Sequence, residues 1–246
     1  MKKRKVIYGV IIGVLVVFVL FIYNAFNGNP VSKFYSTKVL EHYLEETYPE
    51  RDFRMEEVFY NFKFSTYDFK VIEIGNASPN GNEPKTYEFT VRGFLKPYVN
   101  LDTIYIENLD EPLMEKLSGE AQSEITDLLM QSVPAVKGIG VSLEVLKGKY
   151  NSNTNWNKDM ELERPISLHI VLDSTNSTVE DVFNEAEVIQ KMLNENEYTY
   201  ESVTINGNII DNPNAEYVKD DTGYVKYSVS FEKDTEINVQ NIEVFE

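Results

Sequence analysis

VIYGVIIGVLVVFVLFIY, residues Val6–Tyr23, runs without a charge and contains only hydrocarbon, aromatic and glycine side chains. Extended through Asn24 and Ala25 to Phe26, it makes a helix of about 31 Å, enough to cross a hydrocarbon core of about 30 Å. A core helix of a soluble domain would show a polar face, and this run has none. A cleaved signal peptide has a shorter apolar stretch, about 7–15 residues, and a small-x-small cleavage site. A cut after Ala25 would place Tyr23 three positions back, and a cut after Gly28 would place Phe26 there. Without cysteine, lipoprotein processing is excluded as well. The reading is an uncleaved transmembrane helix over residues 6–26.

Working outward, Lys2, Lys3, Arg4 and Lys5 precede the span, whereas only Lys33 and Lys38 follow it closely. This asymmetry predicts a cytoplasmic stub at residues 1–5 and everything from Asn27 onward outside the cytoplasm. Tyr8 at one end, with Tyr23 and Phe26 at the other, suits the two membrane interfaces. Gly9 and Gly13 form a GxxxG, the close-approach signal for a homodimer through the transmembrane helix, although glycine is frequent in such helices anyway.

Of the 23 basic residues, four lie in the stub, which holds none of the 40 acidic ones, so the exported part carries 19 against 40. Such a surface repels nucleic acid and anionic lipid headgroups, which argues against both as partners, and it favours solubility, cationic partners or loosely held divalent ions. An exported domain without cysteine relies on burial in place of disulfides, and 14 Phe with 16 Tyr supply it. The abundance of Asn, Lys, Glu and Tyr suits an exported protein of a Gram-positive bacterium.

Past the span, Val31–Tyr48 reads as a helix with Phe34, Leu40, Tyr43, Leu44 and Tyr48 on one stripe and Pro49 at its end. Strand alternation follows at Val58, Tyr60 and Phe62, at Tyr67, Phe69 and Val71, and at Tyr87, Phe89 and Val91. Ser78–Pro84 reads as an exposed turn. Asp110 is a suitable N-cap, Pro112 fits the first turn, and Leu113, Leu117, Ala121, Ile125, Leu128 and Leu129 share a face up to Pro134. Residues 27–133 then form a first domain. The second, 134–246, starts with alternation at Ile139, Val141, Leu143 and Val145, then an Asn-rich loop from Tyr150 to Lys158. A strand with Ile166, Leu168, Ile170 and Leu172 comes next. Ser177 with Glu180 reads as a capping box, opening a helix with Val179, Val182, Phe183, Ala186, Ile189 and Leu193 inward. Asn206-Gly207 matches a type I′ hairpin turn, and Tyr224–Phe231 is a strand with Val225, Tyr227, Val229 and Phe231 inward. The predicted fold class is α+β: an N-terminal transmembrane helix, then two small domains, each an antiparallel sheet packed with one or two helices.

Candidate chemistry is sparse. Nucleophilic catalysis of the Ser–His type needs an imidazole. His42 stands among Glu41, Glu45 and Glu46 on an exposed helix face, and His169 stands on the polar face of a strand with Ser167 and Asp173. Two such isolated histidines make no transition-metal site. A carboxylate-dependent wall-active hydrolase needs two acids about 5–10 Å apart, one with a raised pKa. Glu73, inside Val71-Ile72-Glu73-Ile74, is the best candidate for a partly buried acid, against its reading as an edge-strand carboxylate facing solvent. Asp211, Asn212 and Asn214, or Asp220 and Asp221, lack the spacing of a calcium loop. Gly138-Ile139-Gly140 lacks the rest of a phosphate-binding fingerprint. Trp156 is either an exposed binding anchor or folded back onto the sheet. No catalytic, cofactor-binding or metal residues are assigned, and no cofactor is expected.

The stretches Tyr23-Asn24-Ala25-Phe26-Asn27-Gly28-Asn29-Pro30, Tyr43-Leu44-Glu45-Glu46-Thr47-Tyr48-Pro49 and Phe59-Tyr60-Asn61-Phe62-Lys63 resemble the YfjL-like proteins of bacilli, and the likeness extends along the chain. The resemblance implies a single anchor and a two-domain plan. That family has no established activity, so it implies no site residues. The expected function is a protein-interaction or ligand-binding module of the cell envelope, its partner another envelope protein and not nucleic acid. The hydrolase is the alternative.

Overall fold

A computed structural model describes residues 2–77, 84–210 and 223–245. The chain divides into two compact units, Met1–Glu107 and Asn108–Glu246.

The first unit opens with α1 (Lys2–Asn27). From Ile7 to Phe26 every side chain of α1 is exposed, and this apolar helix is long enough to span a membrane. Only Gly28 and Asn29 separate it from α2 (Pro30–Thr47). Gly28 takes φ +69°, and the Asn29 side chain accepts from the Ser32 N–H at 2.8 Å, capping α2 with Pro30 in its first turn. The buried row of α2 is Ser32, Ser36, Leu40 and Leu44. Phe34, expected inward, is exposed. The small residues face the sheet because the Ser32 hydroxyl lies 2.7 Å from the Tyr67 hydroxyl, and Phe34, two residues on, points to the other side.

Four antiparallel strands follow in meander order: β1 (Asp52–Asn61), β2 (Thr66–Ala77), β3 (Pro84–Arg92) and β4 (Tyr98–Asp102). Phe69 pairs with Phe89, Tyr67 with Val91 and Val71 with Tyr87, and all six are buried. The expected alternation on β2 and β3 is therefore the core face, closed by Leu40, Leu44 and Ile104 of α3 (Thr103–Glu107). β1 starts six residues before the expected Val58, with a bulge between Met55 and Val58, and Phe62 lies in the turn after it. Of the expected turn Ser78–Pro84, residues 78–83 lie outside the described residues, and Pro84 opens β3.

In the second unit α4 (Glu111–Met130) is capped by Asp110, whose carboxylate accepts from the Leu113 N–H at 3.4 Å. Its buried face is Leu113, Leu117, Ala121, Ile125 and Leu129. That face shares one core with Val136, Ile139, Ile166 and Ile170, so the expected boundary at 133/134 is corrected to 107/108. Pro134 ends a helix and not a domain. The start of α4 is tied in from Asp110 N–H to the Val145 carbonyl (2.8 Å) and from Lys147 N–H to the Asn108 carbonyl (2.8 Å).

The second sheet runs β5 (Val136–Ser142), β6 (Ile166–Asp173), β7 (Tyr200–Ile209), β8 (Tyr224–Phe231) and β9 (Glu243–Val244), in that spatial order. α5 (Val179–Glu195) connects β6 to β7, and those two strands are parallel; the other pairs are antiparallel. A helical crossover returns the chain to the end of the sheet where it began. The second sheet is thus mixed, not purely antiparallel. The α5 cap is Thr178 with Asp181, one residue beyond the expected Ser177 and Glu180. Asn206-Gly207 is no turn: it lies within β7, facing Ser228 and Tyr227 of β8. Gly207 is required by proximity, since a Cβ there would stand 2.5 Å from the Ser174 Oγ. Tyr227, Val229 and Phe231 are buried as expected, and Val225 is half-buried.

Candidate functional site

Glu73 lies on β2, an inner strand, and is only 3% exposed, so the edge-strand reading is corrected. Arg51, just before β1, donates Nε to Glu73 Oε1 at 2.7 Å and Nη2 to Oε2 at 2.6 Å. The same Nη2 donates to the Tyr87 hydroxyl at 2.6 Å, and that hydroxyl donates to Glu73 Oε2 at 3.1 Å. The guanidinium also stands 5.2–5.5 Å from the ring centroids of Tyr48, Phe53 and Tyr87. Hydrogen bonding to Glu73 holds the Arg51 pKa above its ordinary value. A bidentate, ring-enclosed pair such as this is a clamp: it satisfies both charges where water is scarce. The apolar run 71–74 makes Glu73 the best candidate for partial burial but fits a solvent-facing edge equally. Its partner was hidden, because Arg51 reaches it only through the Asp52–Ile74 pairing of β1 with β2.

A second acid in this unit, Asp102, is enclosed in the same manner. Its Oδ2 accepts from the hydroxyls of Tyr43 (2.8 Å) and Tyr48 (2.6 Å), and its Oδ1 from the Tyr105 N–H (3.0 Å). Burial, reinforced by Asp102, drives the Tyr48 phenol well above its ordinary range. Through these contacts the C-terminal end of α2 is fastened to the end of β4.

The two histidines lie in different units. His42 Nε2 is 3.2 Å from Glu46 Oε1 on the exposed side of α2. His169 Nε2 is 3.0 Å from Asn206 Nδ2, whose Oδ1 accepts from the Ser228 hydroxyl at 2.9 Å, forming a polar row across three strands. Trp156 is folded back: its N–H groups donate to Glu120 Oε2 (2.6 Å) and Glu124 Oε1 (3.3 Å) of α4, and its ring packs on the core. Among the described residues no three His, Asp or Glu side chains converge as metal ligands. Asp211, Asn212, Asn214, Asp220 and Asp221 lie outside the described residues. Gly138-Ile139-Gly140 lies within β5.

Three concave regions illustrate what the surface offers. A hollow of about 250 Å³ in the first unit is lined by Asn24, Gly28, Ser32, Tyr60, Tyr67 and Arg92, with no carboxylate. One of about 340 Å³ in the second unit is lined by Trp156, Lys158, Met160 and Ile166, and its acids, Asp159 and Glu161, stand in an exposed loop. A broad depression of about 630 Å³ follows the outer face of α5. The other open feature is the free edge of the second sheet. Among the described residues β5 is the outermost strand and pairs with β6 alone. Along Val136–Ser142 Lys137 is its one charge, Gly138 is buried and Gly140 is half-buried. An edge this long without Pro or clustered charge is a template for another strand.

Glu185 on α5 carries an electrostatic cost. It is half-buried, and its Oε2 makes no hydrogen bond among the described residues. Burial, followed by repulsion from Asp181, raises its pKa. A carboxyl whose folded pKa lies above its unfolded value favours folding when protonated. That contribution is gained as pH falls through the raised value and is absent at neutral pH. Glu185→Gln is expected to raise the urea midpoint of the full-length protein at pH 7, with the gain shrinking toward acid pH. A gain equal at both pH values would refute this origin.

Comparison with known proteins matches residues 3–103 to the "YfjL-like, N-terminal domain" and residues 120–246 to the "YfjL-like C-terminal domain". A Bacillus subtilis (strain 168) protein described as "Uncharacterized protein YfjL" is 30% identical over 228 residues, 93% of each chain. Among solved structures, a DUF5037 family protein from Ruminococcus gnavus aligns with 83% of this chain and 95% of its own at 11% identity, and its TM-score of 0.25 carries no argument.

Proposed function

The chain belongs to the YfjL-like family, and from that premise we propose that it is a single-pass protein of the cell membrane, its amino terminus cytoplasmic. Both of its acidic units then lie outside the cytoplasm and bind another protein of the envelope. The naked apolar surface of α1 supports the anchor, and the Lys2–Lys5 cluster before it supports the orientation. The relative from Bacillus subtilis favours a Gram-positive envelope.

The observation that carries the binding role is the open β5 edge. Strand addition there uses the backbone N–H and C=O groups of the outer edge for affinity. The excess of acid over base selects an extended partner segment that is apolar or cationic. No specific feature favours the hydrolase, since Glu73 and Asp102 are held by Arg51 and by Tyr43 and Tyr48.

In-cell photo-crosslinking of the full chain from a probe at Ser142 tests this reading. One recurrent envelope protein is expected, and its yield should fall at least tenfold in Gly140→Lys, which puts a charge on the edge. A Cβ at position 140 meets nothing closer than 3.8 Å, so the fold tolerates it. Equal crosslinking with and without Gly140→Lys would refute the edge as the site. Ser152→Cys, in an exposed loop of a cysteine-free chain, should react with an impermeant maleimide on intact cells. Reaction only after lysis would refute the orientation.

A further inference from the structure

The β1–β2 and β3–β4 turns of the first sheet lie at the same end, because Asn61 pairs with Thr66, Thr66 with Arg92, and Arg92 with Tyr98. That end is also where α1 meets the unit. Ser65 of the first turn, with Gly93 and Phe94 of the second, lines the same hollow as Asn24 and Gly28. The Phe26 ring, the last aromatic of α1, packs against Phe62 of the first turn at 5.2 Å between centroids. Phe62, Phe64 and Phe94 are each more than half exposed, and Leu95 is 88% exposed. Four large apolar side chains on two turn tips have no counterpart in the folding of the unit, since its core is closed by other residues.

Charge sorts the same way. The sequence carries 40 acidic residues, yet none occurs before Glu41, none between Val58 and Tyr67, and none between Phe89 and Leu101. The turns instead carry the exposed cations Lys63, Arg92 and Lys96, with Lys63 Nζ 5.4 Å from the Phe64 ring centroid. Aromatic rings beside lysine, at the end of an apolar helix, are the chemistry of the membrane interface, where rings lie at headgroup level and cations meet anionic lipid.

The geometry points to a lipid-docking surface: Phe62, Phe64, Phe94 and Leu95 enter the outer interface of the bilayer beside α1, and Lys63 and Lys96 contact anionic headgroups. This rests on the transmembrane reading of α1 and extends it, because the first unit then lies on the membrane as well as being tied to it. The acidic remainder of the chain is repelled by the same lipids, which orients the unit turns-down.

The full chain, reconstituted in vesicles, provides the test. An environment-sensitive fluorophore on Leu95→Cys should be quenched by lipids carrying a nitroxide near the headgroup, and one on Ser152→Cys should not. Quenching should strengthen when phosphatidylglycerol is added to phosphatidylcholine. Lys63→Gln with Lys96→Gln should then lower the docked-to-free ratio about 25-fold, at about fivefold per cation. A fluorophore on Val14→Cys, read with a deep nitroxide, reports the anchor separately. Quenching at Val14 without quenching at Leu95 overturns the docking surface and keeps the anchor. Quenching at Leu95 alone keeps the surface and removes the anchor, and quenching at neither removes both. A Leu95 probe shielded from water yet unreached by nitroxide lipid overturns the proposal in favour of a protein covering the turns. Quenching indifferent to phosphatidylglycerol overturns the role of Lys63 and Lys96.

Discussion

Arg51→Ala is expected to destabilise the first unit by about 3 kcal/mol, because it leaves the Glu73 carboxylate buried without its counter-charge. Breaking a buried pair costs about 3–5 kcal/mol in general, and the lower end applies here because the Arg51 side chain is one-quarter exposed and water can follow it in. The loss also includes the three rings stacked about the guanidinium. Glu73→Gln should cost less, since an amide still accepts from Arg51 and Tyr87. Arg51→Met combined with Glu73→Leu should fall close to wild type, because replacing both charges by apolar groups removes the unpaired carboxylate. The measurement is a double-mutant cycle by urea unfolding of the full-length protein in detergent. Trp156 lies in the second unit, so its emission provides the reference transition and a label on Phe59→Cys, exposed on β1, reports the first. Equal losses for Arg51→Ala and the double variant would show that packing, not charge pairing, dominates this site.

Gly28→Ala should be comparably harmful, about 3 kcal/mol, for two separable reasons. At φ +69° an L-residue incurs about 1–2 kcal/mol. Its Cβ would also lie 2.4 Å from the Tyr67 hydroxyl and 2.8 Å from Tyr60 Cγ. That hydroxyl cannot retreat freely: it accepts from the Asn29 N–H and donates to the Asn29 carbonyl, both at 3.0 Å, and pairs with Ser32. Gly28→Asn, which tolerates the left-handed conformation, should recover only the backbone part. Tyr67→Phe added to Gly28→Ala should relieve the collision with the hydroxyl, but not that with Tyr60, while losing the hydrogen bonds. A Gly28→Ala protein with an unshifted urea midpoint would refute the account of the joint.

Local patterns were well read from the sequence, and pairings across the chain were not. The apolar run of α1, the alternation at Tyr67, Phe69 and Val71, and the Leu113–Leu129 face of α4 depend on periods of 2 and 3.6, which are properties of neighbouring residues. The assignment of α4 failed because its amphipathic face says that it must be covered, not which sheet covers it. Asn206-Gly207 failed because the dipeptide permits a turn without requiring one. The β6–α5–β7 crossover placed it mid-strand, where the missing Cβ makes room for Ser174. Of the candidate residues, Glu73 stands out by its apolar flanks, but the same flanks fit a solvent-facing edge strand, and that is the reading the structure overturns. Its clamp was invisible because Arg51, Tyr48 and Tyr87 come from separate parts of the fold.

Gly28 and Asn29 are all that separates α1 from α2, a link of at most about 7 Å. A domain on a long tether explores a volume of the space beside the membrane, but a link this short leaves almost none. With α1 in the bilayer, the first unit diffuses in a plane at fixed height. Its encounters are governed by surface density, not bulk concentration, and are confined to molecules whose own reach includes that layer. Lengthening the joint would change whom the protein meets without altering a single contact surface.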